Sequence, residues 1–209
     1  MRTTKAQSEA TAAAVLEAAQ RLYGERGYAD VALDEIARAV GVSRGALYHH
    51  FGSREGLFTA VVERVQQQVA EQVQRAAQAA GEDAFEQLVA GCRAFLLAST
   101  AQQVRQVLLV EAPAVLGWAR WRELDARHAR RLLHEGVQEL QRDGRVRGAA
   151  AGVEAGLEAG LSVGAVTAVL SGAMDEAASW AASRPDPAAA VEQAWEALQV
   201  LLSALRTTG

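Results

Sequence analysis

Residues 44–54 combine side chains that can recognise nucleic acid with an absence of acidic ones. The stretch RGALYHHFGSR contains two arginines, two histidines and one tyrosine, but no aspartate or glutamate. The planar guanidinium of Arg44 can donate two hydrogen bonds to O6 and N7 of guanine. Tyr48, His49 and His50 carry hydroxyl and imidazole groups that can donate to phosphate oxygens. This composition predicts a surface that contacts DNA.

Smaller residues and flanking cations extend the predicted surface. Gly45 and Ala46 let a helix approach base edges closely, and the Ala46 methyl can contact a thymine methyl. Arg54 can bind a phosphate beside the N-terminal amides of the next helix. Lys5, with Arg2, can form a short arm that adds phosphate contacts.

Two short helices joined by a turn are predicted to position these side chains. Residues 33–40 form the first helix, Gly41 lies in the turn, and Ser43 is a favourable N-cap for a second helix over residues 43–50. Together they form a helix-turn-helix, in which the second helix enters the major groove and the first crosses the backbone. Leu47 is assigned to the small core of the motif.

Other interpretations of this stretch stay open at this point. Many helical proteins place two short helices around a glycine turn, and an exposed tyrosine with two histidines can be ordinary surface. His50 also fits a residue at the edge of the core that bonds a backbone carbonyl.

The whole chain has the composition of a soluble helical protein. Of 209 residues, 50% are hydrophobic and 22% charged, and no alternating strand pattern is visible. The single Cys92 cannot form an internal disulfide, which fits a reducing cytoplasm. No signal peptide is visible, and the longest uncharged stretch, residues 159–174, is shorter than the roughly 20 residues that span a bilayer. We therefore expect an all-α, cytoplasmic protein without contact to a membrane.

The remaining helices follow from apolar periodicity and helix breakers. Helical patterns cover residues 85–110, broken at Pro113, and residues 118–141, 162–183 and 187–206. Glycine recurs at every fourth position from 144 to 164. This spacing fits either a face of small residues for close helix packing or an irregular connector, and the helix cost of four interior glycines favours the connector.

The segment AAQRLYGERGYADVALDEIARAVGVSRGALYHHFGSREGLFTAVV resembles the N-terminal DNA-binding domain of the TetR family of bacterial transcriptional regulators. The resemblance covers roughly residues 8–68. It implies a three-helix DNA-binding domain with a helix-turn-helix over residues 1–53, followed over residues 54–209 by a larger all-α domain for effector binding and dimerisation. The DNA-contacting positions that it implies here are Arg44, Gly45, Ala46, Tyr48, His49 and Arg54, to which we add His50, Ser43 and Lys5.

One position departs from the family pattern. The family usually places serine or threonine where this chain has Ala32, to cap the second helix and contact a phosphate. Alanine can do neither, which puts that phosphate contact in doubt, and at a capping site the loss is about 1 kcal/mol.

The resemblance extends less closely to the C-terminal part and implies a homodimer formed by the last two helices. An apolar stripe fits such an interface, although the alternative is packing within the chain. The predicted interface residues are Val166, Leu170, Val191, Trp195, Leu198, Leu202 and Leu205.

A pocket for a small hydrophobic effector is expected in the same part of the chain. Trp121 and His128 share one face of a predicted helix, and aromatic walls with a few polar groups suit an apolar or aromatic ligand. The alternative is that these residues are ordinary core. The candidate pocket residues are Phe95, Glu111, Trp118, Trp121, His128 and Met174.

Enzymatic and metal chemistry find no support in the sequence. His49 and His50 are adjacent and diverge on a helix, and Cys92 has no metal ligand near it in sequence. No phosphate-binding glycine loop or nucleophile motif is present. We therefore expect no catalytic residues, metal or cofactor. The predicted function is a ligand-responsive, homodimeric repressor that binds a near-palindromic operator at the nucleoid; an effector-independent architectural DNA-binding protein is the alternative.

Overall fold

The computed structural model describes residues 5–145 and 161–206. All secondary-structure elements in these ranges are helices, which confirms the all-α prediction. They are α1 Lys5–Arg26, α2 Leu33–Ala39, α3 Arg44–Phe51, α4 Arg54–Ala79, α5 Ala84–Thr100, α6 Gln102–Arg105, a π-helix Gln106–Glu111, α7 Ala112–Leu116, α8 Trp118–Asp125, α9 Ala129–Arg142, α10 Val163–Ala182 and α11 Pro187–Leu205. The glycine-rich residues 148–160 lie outside the described ranges.

The chain forms two compact units. The first contains the described residues up to 66 together with residues 101–124, and the second contains residues 67–100 and the described residues from 125 onwards. This division differs from the predicted boundary between residues 53 and 54, because the first half of α4 and the segment from α6 to α8 belong with the N-terminal helices.

Short polar side chains and glycines set the ends of the N-terminal helices. The Ser43 hydroxyl accepts a hydrogen bond from the Ala46 N–H at 3.2 Å, and the Ser53 hydroxyl caps α4 in the same way. Gly27 and Gly41 adopt φ angles of 83° and 70°, which side chains rarely tolerate. The predicted Ser43 cap of α3 is therefore confirmed, and Gly27 and Ser53 mark the end of α1 and the start of α4.

The N-cap position of α2 has no side-chain cap, as expected from the sequence. Ala32 there makes no side-chain hydrogen bond to the first turn. Asp34 and Glu35 lie in that turn, where their negative charge opposes the partial positive charge of the helix N-terminus. These acidic side chains supply the electrostatic part of what a serine or threonine cap would add.

An aromatic cluster fills the core of the first unit. The ring of Tyr23 from α1 meets the edge of Phe58 from α4 at a centroid distance of 5.4 Å, and Tyr28 from the following loop lies 4.9 Å from Phe58. Leu47 of α3 and Ile36 of α2 are buried, and their helices pack against α1 and against each other. Burial raises the pKa of Tyr23 to about 12, so its hydroxyl stays neutral. α3 is thereby fixed to the unit through its inner face alone.

The α6 segment and the π-helix pack on α1 within the same unit. Gly24 is needed there, since a Cβ atom at this position would lie 2.8 Å from Cβ of Gln103. The predicted helix break at Pro113 is wrong. Pro113 occupies the first turn of α7, where its missing N–H costs nothing, and the break lies instead at residue 101.

The second unit is a layered helical bundle built around α5 and α10. α10 packs against α11, α5 and α9, and α5 also packs against α9 and α11. The single helix predicted over residues 118–141 is divided in the structure, because His128 has φ −121° and ψ −117° and cannot continue a helix. Neither glycine nor proline marks this division in the sequence. None of the described helices has the length and apolar character to cross a membrane.

Candidate nucleic-acid interface and internal cavity

The outer face of α3 is the candidate nucleic-acid interface. Leu47 is buried, whereas Arg44, Gly45, Tyr48 and His49 are exposed to solvent. Ser43 is exposed as well, and Ala46 and His50 are half-buried. Seven predicted contact residues therefore lie together on one short helix and its cap, with their polar groups accessible.

Arg44 is held in place by two side chains. Its Nη1 atom lies 3.4 Å from Oδ2 of Asp34 on α2, and its Nη2 donates to the Tyr48 hydroxyl at 3.2 Å. The guanidinium carbon also lies 5.5 Å from the Tyr48 ring centroid. The Tyr48 hydrogen bond, followed by the nearby Tyr48 and Asp34 charges, raises the pKa of Arg44. Arg44 is thus a permanent, exposed cation with an oriented fork, as a bidentate contact to guanine requires.

The contribution of Asp34 could not be found from the sequence. Asp34 lies on the first helix of the motif, and ten residues separate it from Arg44. Pairing between two helices depends on the angle of the helix-turn-helix, which residue spacing does not encode.

Arg54 has a role that differs from the predicted phosphate contact. Its Nη2 atom donates to the carbonyl oxygens of Val31 at 3.0 Å and Ala29 at 3.2 Å, and also contacts that of Tyr28. The guanidinium stacks on the Tyr28 ring at 4.2 Å from its centroid. Arg54 is half-buried, and its guanidinium holds the loop between α1 and α2 through these hydrogen bonds. These contacts give Arg54 a supporting role in the loop, and its predicted phosphate contact stays a prediction.

The remaining predicted contacts lie at the margins of this surface. Lys5 at the start of α1 is exposed and lies 3.9 Å from the Glu9 carboxylate, a pair too solvated to fix its position. Arg2, its predicted companion, lies outside the described residues. The imidazole of His50 lies 6.0 Å from the Phe51 ring, at the edge of the core, while His49 points to solvent.

A cavity of about 360 Å³ lies in the second unit between α4, α5, α9 and α10. Two of the predicted pocket residues, Phe95 and Met174, line it. Burial raises the pKa of Cys92, another wall residue, to about 12. Two wall residues, Gly91 and Gly136, are glycines inside helices, and a Cβ there would lie 3.4 Å from Val73 and 3.2 Å from Leu88, so the helices approach closely at this wall.

The other four predicted pocket residues do not line this cavity. Trp118 is 62% exposed and stacks on the buried Trp121 at 4.8 Å, with the Arg122 guanidinium above both rings. Glu111 accepts a hydrogen bond from Gln106 at 3.0 Å in the first unit. His128 occupies the division between α8 and α9.

The stripe predicted as a dimer interface is buried within the chain. Six of its members are less than 9% exposed, and Leu205 is half-buried. Trp195 packs in the core of the second unit beside Arg93, whose guanidinium lies 5.5 Å from its ring centroid. The opposite faces of the last two helices expose Val169 (70%), Val200 (69%) and Leu201 (50%) instead. The predicted stripe is the intrachain core, because the more apolar face of each helix packs inward.

Comparison with known proteins matches both parts of the chain. A family model described as bacterial regulatory proteins, tetR family, matches residues 15–61, and one described as tetracyclin repressor-like, C-terminal domain, matches residues 85–205. The crystal structure of a TetR-family transcriptional regulator from Pectobacterium atrosepticum is similar with a TM-score of 0.77 and 33% identity, covering 98% of both chains.

Curated relatives match over part of their length. The transcriptional regulator AcrR of Shigella flexneri is 37% identical over 70 residues, 34% of this chain and 33% of that protein. The transcriptional repressor AcnR of Corynebacterium glutamicum is 41% identical over 59 residues, 28% of this chain and 31% of that protein. The chain thus matches about a third of the length of each of these relatives.

Proposed function

Because the chain belongs to the TetR family of bacterial transcriptional regulators, we propose that it is a repressor that binds a near-palindromic operator as a homodimer and is released by a small effector. It is a DNA-binding regulator and not an enzyme, in keeping with relatives named HTH-type transcriptional regulators and repressors. Such a function places it in the cytoplasm, at the nucleoid.

The observation that carries the DNA-binding proposal is the exposed, acid-free outer face of α3. Two recognition helices, one from each subunit, would enter successive major grooves about 34–36 Å apart. Arg44 would read a guanine, Gly45 and Ala46 would permit close approach, and Tyr48 and His49 would donate to phosphates. Ser43 sets the start of the helix, and Lys5 adds a phosphate contact beside it.

The exposed faces of α10 and α11 support the proposed homodimer. Val169, Val200 and Leu201 are large apolar side chains in water, and alanines at positions 165, 168, 197 and 204 extend the same faces. Pairing each face with its copy across a two-fold axis would bury all of them. The proposed interface therefore lies on the side of these helices opposite to the predicted stripe.

The cavity of the second unit supports an effector-dependent regulator over a purely architectural DNA-binding protein. Its volume of about 360 Å³ lies within the range of small-molecule sites, and its wall combines apolar residues with a few polar groups. An effector that binds one conformation better than the other would shift the population away from the DNA-competent state.

Operator binding tests the proposal directly. Footprinting on DNA beside the protein's own gene should reveal a near-palindromic protected site. Arg44→Ala should weaken binding to that site by about 1–3 kcal/mol and relax the preference at one base position. Arg142→Ala, which removes an exposed arginine at the end of α9, is the matched control. Equal losses for Arg44→Ala on the operator and on random DNA would exclude the base contact.

A further inference from the structure

Arg130 lies at the junction of two cavities in the second unit. It lines the cavity of about 360 Å³ described above, and it also lines a smaller one of about 220 Å³. The smaller cavity is bounded by Ala126, Arg131, His134, Gly164 and Thr167 as well. A molecule that occupies the large cavity can therefore place one end against the Arg130 guanidinium.

The charge of Arg130 is not matched within the described part of the chain. Arg130 is half-buried, yet the described residues give it no hydrogen bond and no ion pair. Its neighbour Arg131 differs, since it pairs with Glu135 at 2.7 Å. A guanidinium has five N–H donors, and leaving them partly desolvated without an acceptor is unfavourable.

The acidic residues around the large cavity do not neutralise Arg130. Glu135 is taken by Arg131, and Asp125 is engaged in an interaction of its own. Glu139 is exposed and lies nine residues further along α9, about 13 Å away at 1.5 Å per residue. Among the described residues, none of these carboxylates forms an ion pair with Arg130, so its guanidinium is available to an anion in the cavity.

The smaller cavity adds polar groups and space on the same side. The buried Thr167 hydroxyl lies 3.4 Å from Nδ1 of His134 and donates to the Val163 carbonyl at 2.8 Å. Among the described residues outside its own helix turn, none has an atom within 4 Å of where a Gly164 Cβ would stand, so their side chains do not fill this wall of the cavity. His134 is exposed and can donate an N–H from its ring.

We propose that the cavity takes an organic acid with an apolar body, whose carboxylate binds Arg130 while the body lies among Phe95, Leu88, Leu133 and Met174. This inference rests on the proposed effector role of the cavity and specifies the chemical class of the effector. Arginine suits the task because its planar fork binds both oxygens of a carboxylate. The four apolar side chains come from α5, α9 and α10 and form the wall that an alkyl chain or a flat ring would contact.

The test compares three probes that share an alkyl chain and differ in the head group. Decanoate, 1-decanol and decyltrimethylammonium are titrated into the full-length protein by calorimetry. Decanoate should bind at least about tenfold more tightly than 1-decanol, because a hydrogen bond to a charged group is worth roughly that factor. The ammonium probe should bind more weakly than both.

Substitutions locate the head group. Arg130→Gln should reduce decanoate affinity about tenfold and leave 1-decanol within about threefold, and Arg130→Lys should keep part of the preference. Arg142→Gln removes an exposed arginine of the same helix that does not line either cavity, and should change neither probe. Gly136→Leu should abolish binding of both probes, because a Cβ there already lies 3.2 Å from Leu88 and the longer side chain fills the cavity. Circular dichroism checks that each variant is folded.

Three results would overturn the inference: an unchanged decanoate preference in folded Arg130→Gln, tighter binding of the ammonium probe, or no binding of any probe. Operator binding without added compound is measured in parallel and does not depend on Arg130. Operator binding without decanoate binding would refute the effector class and leave the DNA-binding proposal intact. Decanoate binding through Arg130 without operator binding would support the effector class and refute the DNA-binding proposal.

Discussion

Replacing Arg54 by alanine should destabilise the first unit. The contacts of Arg54 give the size of this loss in the free energy of unfolding. The two N–H groups of Nη2 serve three loop carbonyls, which we count as two charged hydrogen bonds of about 2 kcal/mol each. Stacking on Tyr28 adds about 1 kcal/mol. The buried Nε atom has no hydrogen-bond partner among the described residues. Its removal relieves a desolvation cost, which offsets about 1–2 kcal/mol of this loss of stability. We expect Arg54→Ala to lower the free energy of unfolding by about 3 kcal/mol.

Two measurements separate this role from a phosphate contact. Urea unfolding gives the loss of stability, and hydrogen exchange should show faster exchange over residues 27–33, which include the loop carbonyls that Arg54 binds. Arg54→Lys keeps the charge but loses the planar fork. We therefore expect it to show about half of the destabilisation of Arg54→Ala. Arg64→Ala is the matched control in the same unit, because Arg64 makes a single hydrogen bond of 3.1 Å to Gln20 and should cost about 1 kcal/mol.

The opposite pattern would refute the structural role of Arg54. If Arg54→Ala kept its stability within about 0.5 kcal/mol, while the salt dependence of operator binding fell by about one counterion, the guanidinium would be a phosphate ligand after all.

Two further substitutions test a backbone requirement and the position of the dimer interface. Gly27→Ala and Gly41→Ala should each lower the urea midpoint, because both glycines have a positive φ that alanine adopts only with strain. An unchanged midpoint in either variant would show that its backbone angle does not require glycine. Val200→Asp should give folded monomers by analytical ultracentrifugation. Trp195→Asp should instead unfold the second unit, because Trp195 is buried. A folded Val200→Asp dimer would place the interface elsewhere.

The helix-turn-helix could be predicted in detail because its signals are local. Ser43 and Ser53 cap helices through their own hydroxyls, and Gly27 and Gly41 adopt backbone angles that favour glycine. Leu47 is buried and Tyr48 exposed because one helix face packs on the rest of the unit. The caps and the glycine angles do not depend on a distant part of the chain.

The errors concern features that distant contacts decide. Periodicity correctly grouped Trp195 with Leu198 and Leu202, but it could not tell whether that face packs against its own chain or against a second copy. Arg54 was assigned from its place at a helix start, whereas its partners lie 23 to 26 residues earlier, in a loop. The π-helix over residues 106–111 likewise has no sequence rule, since a π turn depends on packing against other helices.

In the free protein, the Asp34 carboxylate contacts Arg44 and would compete with DNA for this side chain. A duplex that approaches α3 must offer Arg44 an acceptor at least as good as the carboxylate 3.4 Å away, and the same carboxylate repels phosphates that arrive in the wrong register. In the proposed complex, a sequence lacking a guanine at that place would leave the arginine with its intramolecular partner. Selectivity for the DNA sequence would then depend partly on the Asp34–Arg44 contact that the free protein must break before it binds.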